Sequence, residues 1–206
     1  RRGNFDLTPL IAGSQGTLGI ISEAILKLGV YHPQKEVVAV TLTSLDNVDQ
    51  LVSAIMKFVP EKLEYVDGES LQRIDIDVKD ILPDDDPDIK PKGLIFIQLS
   101  EVGRKSKVKA KKIAKTIEKM GHLTAISDGD TESAGEIWQT FQRIQTGPLL
   151  FSDDHKSPVP ISEDALLPPS EVVHFIDAAH ELAKSHRAKF LFSSHLGTGV
   201  VHAHSL

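Results

Sequence analysis

Two stretches that alternate strand and helix character set the strongest limit on how this chain can fold. Residues 36–42 form a β-branched run, and residues 46–58 place Val48, Leu51, Val52 and Ile55 at the spacing of an amphipathic helix, which Ser44 or Asp46 can cap. Residues 62–66 read as a short strand that completes one β-α-β unit. A second unit comes next, with a strand over 93–99, a helix over 106–120 turning Ile113, Ala114 and Ile117 inward, and a strand over 122–126. Two such units in tandem predict an α+β fold: a ferredoxin-like antiparallel sheet with helices on one face. The units share no self-similarity strong enough to be a repeat.

Beyond them, residues 131–144 carry Ala134, Ile137, Trp138 and Phe141 on one helical stripe, and residues 158–167 are extended. Pro169 and Ser170 open a helix that runs to about His186 on Val172, Phe175, Ile176, Ala179 and Leu182. Residues 189–193 and 200–204 are strand-like, separated by Gly197 and Gly199.

A chain of 206 residues buries roughly 70% of the surface its unfolded form exposes, so its core needs no covalent or metal staple. It has no cysteine, which removes thiol catalysis, Cys-ligated zinc and iron–sulfur ligation from this chain. With 23 Lys+Arg against 29 Asp+Glu the formal charge is -6, which argues against nucleic acid as a general partner. No apolar stretch reaches the roughly 18 residues that span a bilayer. The chain starts at Arg1 and stops just after a histidine cluster, and we expect it to be an internal piece of a longer protein.

Residues 6–28 read DLTPLIAGSQGTLGIISEAILKL, with Gly13, Gly16 and Gly19 at three-residue intervals. Glycine lets backbone turn sharply and bring N–H groups against a phosphate or a planar ring. The spacing by itself fits a dinucleotide cradle or a plain turn, since it lacks the G-x-G-x-x-G helix opening and the P-loop lysine. Residues 20–30, directly after the glycines, are strand-like, with a strand expected over 24–28 that residues 31–33 break.

The residues between the glycines carry a resemblance. The segment resembles the end of the flavin-binding domain in FAD-linked oxidases of the vanillyl-alcohol oxidase and D-lactate dehydrogenase superfamily, which carry DL-x-x-L-x-x-GSEGTLGI-[IV]-TEA-x-L-x-L. Gln15 stands at the usual glutamate and Ser22 at the usual threonine. The resemblance implies that residues 1–30 end an FAD-binding domain and that residues 31–206 are a truncated substrate, or cap, domain. It implies FAD as cofactor, touched by Gly13, Ser14, Gly16, Thr17, Gly19 and Ile20, mostly through backbone groups.

Near the C-terminus, His195-Leu-Gly-Thr-Gly-Val-Val-His202-Ala-His204 puts His202 and His204 on one face of a strand, and the glycine turn can fold His195 back toward them. Polar histidines at a strand end are the plainer reading of that pattern. The segment also resembles the H-x-G-D-G-N-x-H motif of 2-hydroxyacid dehydrogenases in the same superfamily. On that resemblance His195 and His202 are ligands to a divalent metal such as zinc, with His202 and His204 as the catalytic histidines. Thr198 replaces the usual aspartate and Val200 the usual asparagine, and the expected downstream carboxylate lies past Leu206.

A substrate carboxylate calls for a cation, best the planar fork of arginine. The family often places an arginine three residues after a tryptophan; here that position is Phe141, and Arg143, two residues on, is either the candidate substrate-binding residue or, in the plainer reading, a solvated helix arginine.

Two other patterns are set aside. Asp84, Asp86 and Asp88 echo a calcium loop, but Ile89 stands at its glycine, Pro87 stiffens the turn and Ile95 stands at its bidentate glutamate, so a solvated acidic turn is expected. Six lysines from Lys105 to Lys115 spread around a helix and its entry without aromatics, as on a solvated face.

The resemblance implies a fragment of an FAD-dependent enzyme that oxidises a 2-hydroxy acid of the lactate, glycolate or 2-hydroxyglutarate class by hydride transfer to flavin. Expected partners are the acid itself, an electron-acceptor protein or iron–sulfur subunit, and further copies in a homo-oligomer. The expected location is the cytoplasm, with a peripheral membrane association open. The alternative is a non-catalytic ferredoxin-like binding or assembly module of a flavoprotein complex, which Thr198, Val200 and Phe141 favour.

Overall fold

A computed structural model of the chain describes residues 6–31, 35–72, 90–101, 105–126, 131–150 and 159–205. By its internal contacts the chain divides into two units, Arg1–Tyr31 and His32–Leu206. The expected acidic turn at Asp84, Asp86 and Asp88 and the strand break at His32 and Pro33 lie outside the described residues.

The larger unit is built on seven strands: β1 Lys35–Leu42, β2 Lys62–Asp67, β3 Gly93–Ser100, β4 Leu123–Ile126, β5 Val159–Leu166, β6 Phe190–His195 and β7 Val200–Ser205. They form one sheet in the order β4-β1-β3-β2-β6-β7-β5, and every neighbouring pair is antiparallel. The first four strands come from the two predicted β-α-β units, which interleave, so β1 and β3 lie side by side with Val38 opposite Ile97. The last three strands extend the sheet from β2.

The helices cover both faces of this sheet, which corrects the expectation of one. On one face α2 Val48–Met56, α4 Lys105–Glu118 and α6 Val172–Ser185 pack on Val38, Val40, Leu63, Tyr65, Ile95 and Ile97. On the other, α3 Gly68–Gln72 and α5 Thr131–Leu150 set Leu71, Ala134 and Phe141 on Val37, Ala39, Val66, Leu94 and Phe96. The cause lies in the strands. KEVVAVTL and GLIFIQLS are apolar in both parities, the signature of strands buried on both sides rather than half-solvated. Phe141 rests on Phe96 with ring centroids 4.5 Å apart.

Local details differ where turn chemistry competes with propensity. Neither Ser44 nor Asp46 caps α2: Ser44 Oγ donates to Asp46 Oδ2 at 2.6 Å, and Asn47 takes the cap position in left-handed conformation. Gly93 has no room for a side chain, because a Cβ there would lie 2.5 Å from the ring of buried Tyr65. On α4, Lys105, Lys107, Lys111, Lys112 and Lys115 are exposed, whereas Lys109 is half-buried and reaches Glu101 at 2.7 Å.

The smaller unit contains α1, Thr8–Ala12, entered through Pro9 and followed by the glycine segment. The strand expected over 24–28 is not formed: residues 20–31 have no regular secondary structure, and Ile20, Ile25 and Leu28 are almost fully exposed. A strand needs a neighbour for its N–H and C=O groups, and the described residues of this unit contain no other strand. Among the described residues no helix is long and apolar enough to cross a membrane.

Candidate functional site

The site candidate grows from a tight connection between β6 and β7. After His195 the chain reverses through Leu196, Gly197, Thr198 and Gly199; the N–H groups of Thr198 and Gly199 both donate to the His195 carbonyl, at 3.0 and 2.9 Å. The Thr198 hydroxyl donates to the same carbonyl at 3.1 Å, so the residue standing in for an aspartate closes the turn. Gly197 N–H donates to Leu63 O at 2.9 Å, which ties the turn to β2. Gly199 has a φ of 80°, and a Cβ there would lie 1.7 Å from the Leu167 carbonyl oxygen. Only glycine fits that backbone and that approach.

Strand parity then decides which side chains meet. His195, His202 and His204 point to the face that carries α5, with Ser193 opposite His202 and Leu191 opposite His204. The His195 and His202 rings meet edge to face, their centroids 5.1 Å apart and their planes at 90°. His202 and His204 are half-buried on β7, and His195 is exposed at the end of β6.

The sequence reading missed Glu64. Its Oε2 lies 2.7 Å from Nδ1 of His195, across the β2–β6 boundary. The Glu64 side chain is only 10% exposed, whereas that of His195 is 48% exposed. Burial pushes the Glu64 carboxyl above its ordinary value, against the opposing pull of the His195 hydrogen bond and charge and of the Lys62 charge. An acidic residue between Leu63 and Tyr65 at a buried position of a strand was the available signal. Two residues earlier on the same face, Lys62 Nζ sits over the Trp138 ring, 4.3 Å from its centroid. A recess of about 370 Å³ opens between the end of α2, the start of β2 and the β6–β7 turn, with Met56, Lys62, Glu64, His195 and Thr198 in its wall.

Arg143 is not drawn into this group. It is exposed on α5, and no described contact joins it to the histidines. Phe141, at the position expected of an arginine, is buried against Phe96 and Trp138 and belongs to the core.

In the smaller unit the glycine segment is held by short local bonds. Gly13 N–H donates to Pro9 O, Ser14 Oγ to Ile11 O at 2.8 Å, and Thr17 Oγ1 to Ser14 O at 2.6 Å. Gly16 has a φ of 76° and follows Gln15 at 48°, so the chain turns there in left-handed conformation. A Cβ at Gly16 or Gly19 would meet nothing within 4 Å, and Ile20 is 98% exposed. An open loop surface of backbone and small side chains suits a flat aromatic or phosphate-bearing group.

For a divalent metal the described residues supply an incomplete donor set. Zinc takes four ligands, and a catalytic site draws three from protein. His195 and His202 lie together, but among the described residues no group of three or more His, Asp or Glu is placed to hold a metal ion.

This fold and these residues define a class. Residues 32–206 match the C-terminal domain of FAD linked oxidases, and the chain belongs to that family. It is 28% identical over 200 residues to the glycolate oxidase subunit GlcD of Bacillus subtilis (strain 168), a match covering 96% of this chain and 40% of that protein. It is 24% identical over 216 residues to the D-2-hydroxyglutarate dehydrogenase of Escherichia coli (strain K12), covering 96% of this chain and 20% of the relative. With the D-lactate dehydrogenase of Archaeoglobus fulgidus it shares 21% identity over 203 residues, 98% of this chain and 42% of that protein. The chain therefore spans about two fifths or less of the length of these curated relatives.

Proposed function

We propose that this chain is the substrate-side portion of an FAD-dependent enzyme that oxidises a small 2-hydroxy acid, with residues 1–30 closing its flavin-binding domain. The names of the relatives, glycolate oxidase subunit, D-2-hydroxyglutarate dehydrogenase and D-lactate dehydrogenase, support the substrate class. The interleaved order β4-β1-β3-β2 supports a ferredoxin-like core for the substrate domain. The observation that carries the reading is the edge-to-face pair of His195 and His202 with Glu64 behind it, His195 and Glu64 lining a recess.

In this reading His195, His202 or His204 takes the proton of the substrate hydroxyl, because hydride leaves Cα more readily from an alkoxide than from an alcohol. His204 contributes a polar contact on the same strand face. Bound flavin would supply the acceptor for that hydride, and Gly13, Ser14, Gly16, Thr17, Gly19 and Ile20 would hold it. A cation must meet the substrate carboxylate, and Arg143 keeps that role as the candidate from sequence. No step is routed through a metal, since a third ligand is not among the described residues. An electron-acceptor or iron–sulfur partner, a homo-oligomeric state and a cytoplasmic or membrane-peripheral location belong to the same reading.

The test is the visible spectrum of the full-length parent protein before and after anaerobic addition of D-lactate, glycolate or D-2-hydroxyglutarate. Flavin absorbance that bleaches with one acid is the expected result. A flavin-free protein that binds none of the three would overturn the proposal in favour of a non-catalytic module, the reading that Phe141 and Thr198 favour through their core and turn roles.

A further inference from the structure

We infer that Glu64 is a positioning residue for His195: it holds the imidazole as the Nδ1–H tautomer and so presents Nε2 as the lone-pair nitrogen of the site. This deepens the proposed function and rests on it for its catalytic consequence, though the tautomer itself does not.

Four observations lead there. The Nδ1-to-Oε2 distance is 2.7 Å, short enough that a proton lies between the two atoms. An ionised carboxylate offers only lone pairs, so the ring nitrogen that faces Glu64 Oε2 is the donor. Glu64 belongs to a strand paired on both sides, β3 and β6, and its side chain is almost wholly buried, so the acceptor has a fixed position. His195 by contrast ends a strand, is half-exposed, and leans edge-on against His202, so without Glu64 its ring would be free to rotate. A histidine is poised for proton transfer or ligation by whichever nitrogen its second partner leaves free, and here that nitrogen is Nε2. Glu64 touches no reacting atom in this scheme; it acts through His195.

The experiment has two arms. Long-range proton–nitrogen NMR correlation spectra are recorded on this chain carrying nitrogen-labelled histidine, with His195 assigned by the His195→Gln variant. The expected wild-type signal has the proton on Nδ1; in Glu64→Leu it moves to Nε2, and Glu64→Gln, whose amide oxygen still accepts, retains it on Nδ1. A wild-type ring protonated on Nε2, with Glu64 as the donor, overturns the inference even if the Leu variant fails to fold. In the second arm, Glu64→Leu in the full-length flavoprotein lowers kcat about tenfold or more while KM changes little, and Glu64→Gln recovers most of the loss. Unchanged kcat in Glu64→Leu refutes the positioning role. A parent that bleaches with none of the acids refutes the functional reading, and the tautomer result still decides the inference.

Discussion

Strand β2 carries two carboxylates, each bound to a histidine, and the two pairs are built for different ends. Asp67 Oδ2 lies 2.6 Å from Nε2 of His180 on α6, and Asp67 Oδ1 also accepts the N–H groups of Ser70 at 3.1 Å and Phe192 at 3.3 Å. Its side chain is 2% exposed, so β2, α3, β6 and α6 are all clamped on one dry acceptor. Glu64, three residues earlier and therefore on the opposite face, meets the half-exposed His195 in the wall of a recess. The same two functional groups at nearly the same distance make a structural knot where they are enclosed, and an adjustable site where one partner reaches water. Surroundings, more than the pair, set the role.

The sharpest way to break the comparison is Asp67→Ala. It strands two buried backbone donors together with His180, and we expect a loss of about 3–5 kcal/mol in urea unfolding; a loss under about 1 kcal/mol would deny the clamp.

Gly199→Ala should come next, at about 2 kcal/mol or more, because a left-handed backbone and the Leu167 carbonyl both refuse a Cβ. Its damage should be local. Histidine NMR signals are expected to shift for His195 and His202 while that of His180 stays, and a shift at all three would mean the two regions are not independent.

His122 supplies a buried histidine with no carboxylate: its Nδ1 has no partner among the described residues, and burial pushes its imidazole below the ordinary 6.5. The unfolded state therefore takes up the proton first as pH falls. Stability from this group is complete above about pH 6.5 and declines below it with a slope of at most about 1.4 kcal/mol per pH unit. His122→Leu should flatten the difference in that window, measured as unfolding free energy against pH.

The smallest effect is expected from Glu64→Gln, within about 1 kcal/mol of wild type in the same unfolding assay, because its partner is half solvated and screened. A loss matching that of Asp67→Ala would place both pairs in one structural class.

Much of this architecture was readable from pattern. Val48, Leu51, Val52 and Ile55 are all buried on α2, and Ala134 and Phe141 are buried on α5, as their helical spacing predicts. His195 and His202 do come together, because period-two alternation and a glycine turn leave few other arrangements. The Ser44 and Asp46 capping prediction failed since those two side chains satisfy each other, an outcome that residue preferences cannot rank. The strand predicted over 24–28 failed because strand propensity has no effect without a neighbour to pair with.

Periodicity and turn chemistry, both local, were enough to settle the β-α-β units, the apolar stripes of α2 and α4, and the glycine turn beside the histidines, whereas Phe175 and Leu182 of the stripe predicted on α6 stay exposed. Tertiary packing alone decided that Glu64 belongs to His195 and Asp67 to His180. Those facts depend on which strand lies beside which. Glu64 and His195 are 131 residues apart in the chain, and nothing in their local sequence encodes their 2.7 Å separation. It arises from the β2–β6 register, which sets Tyr65 opposite Ser194 and so brings Glu64 beside His195 on one face.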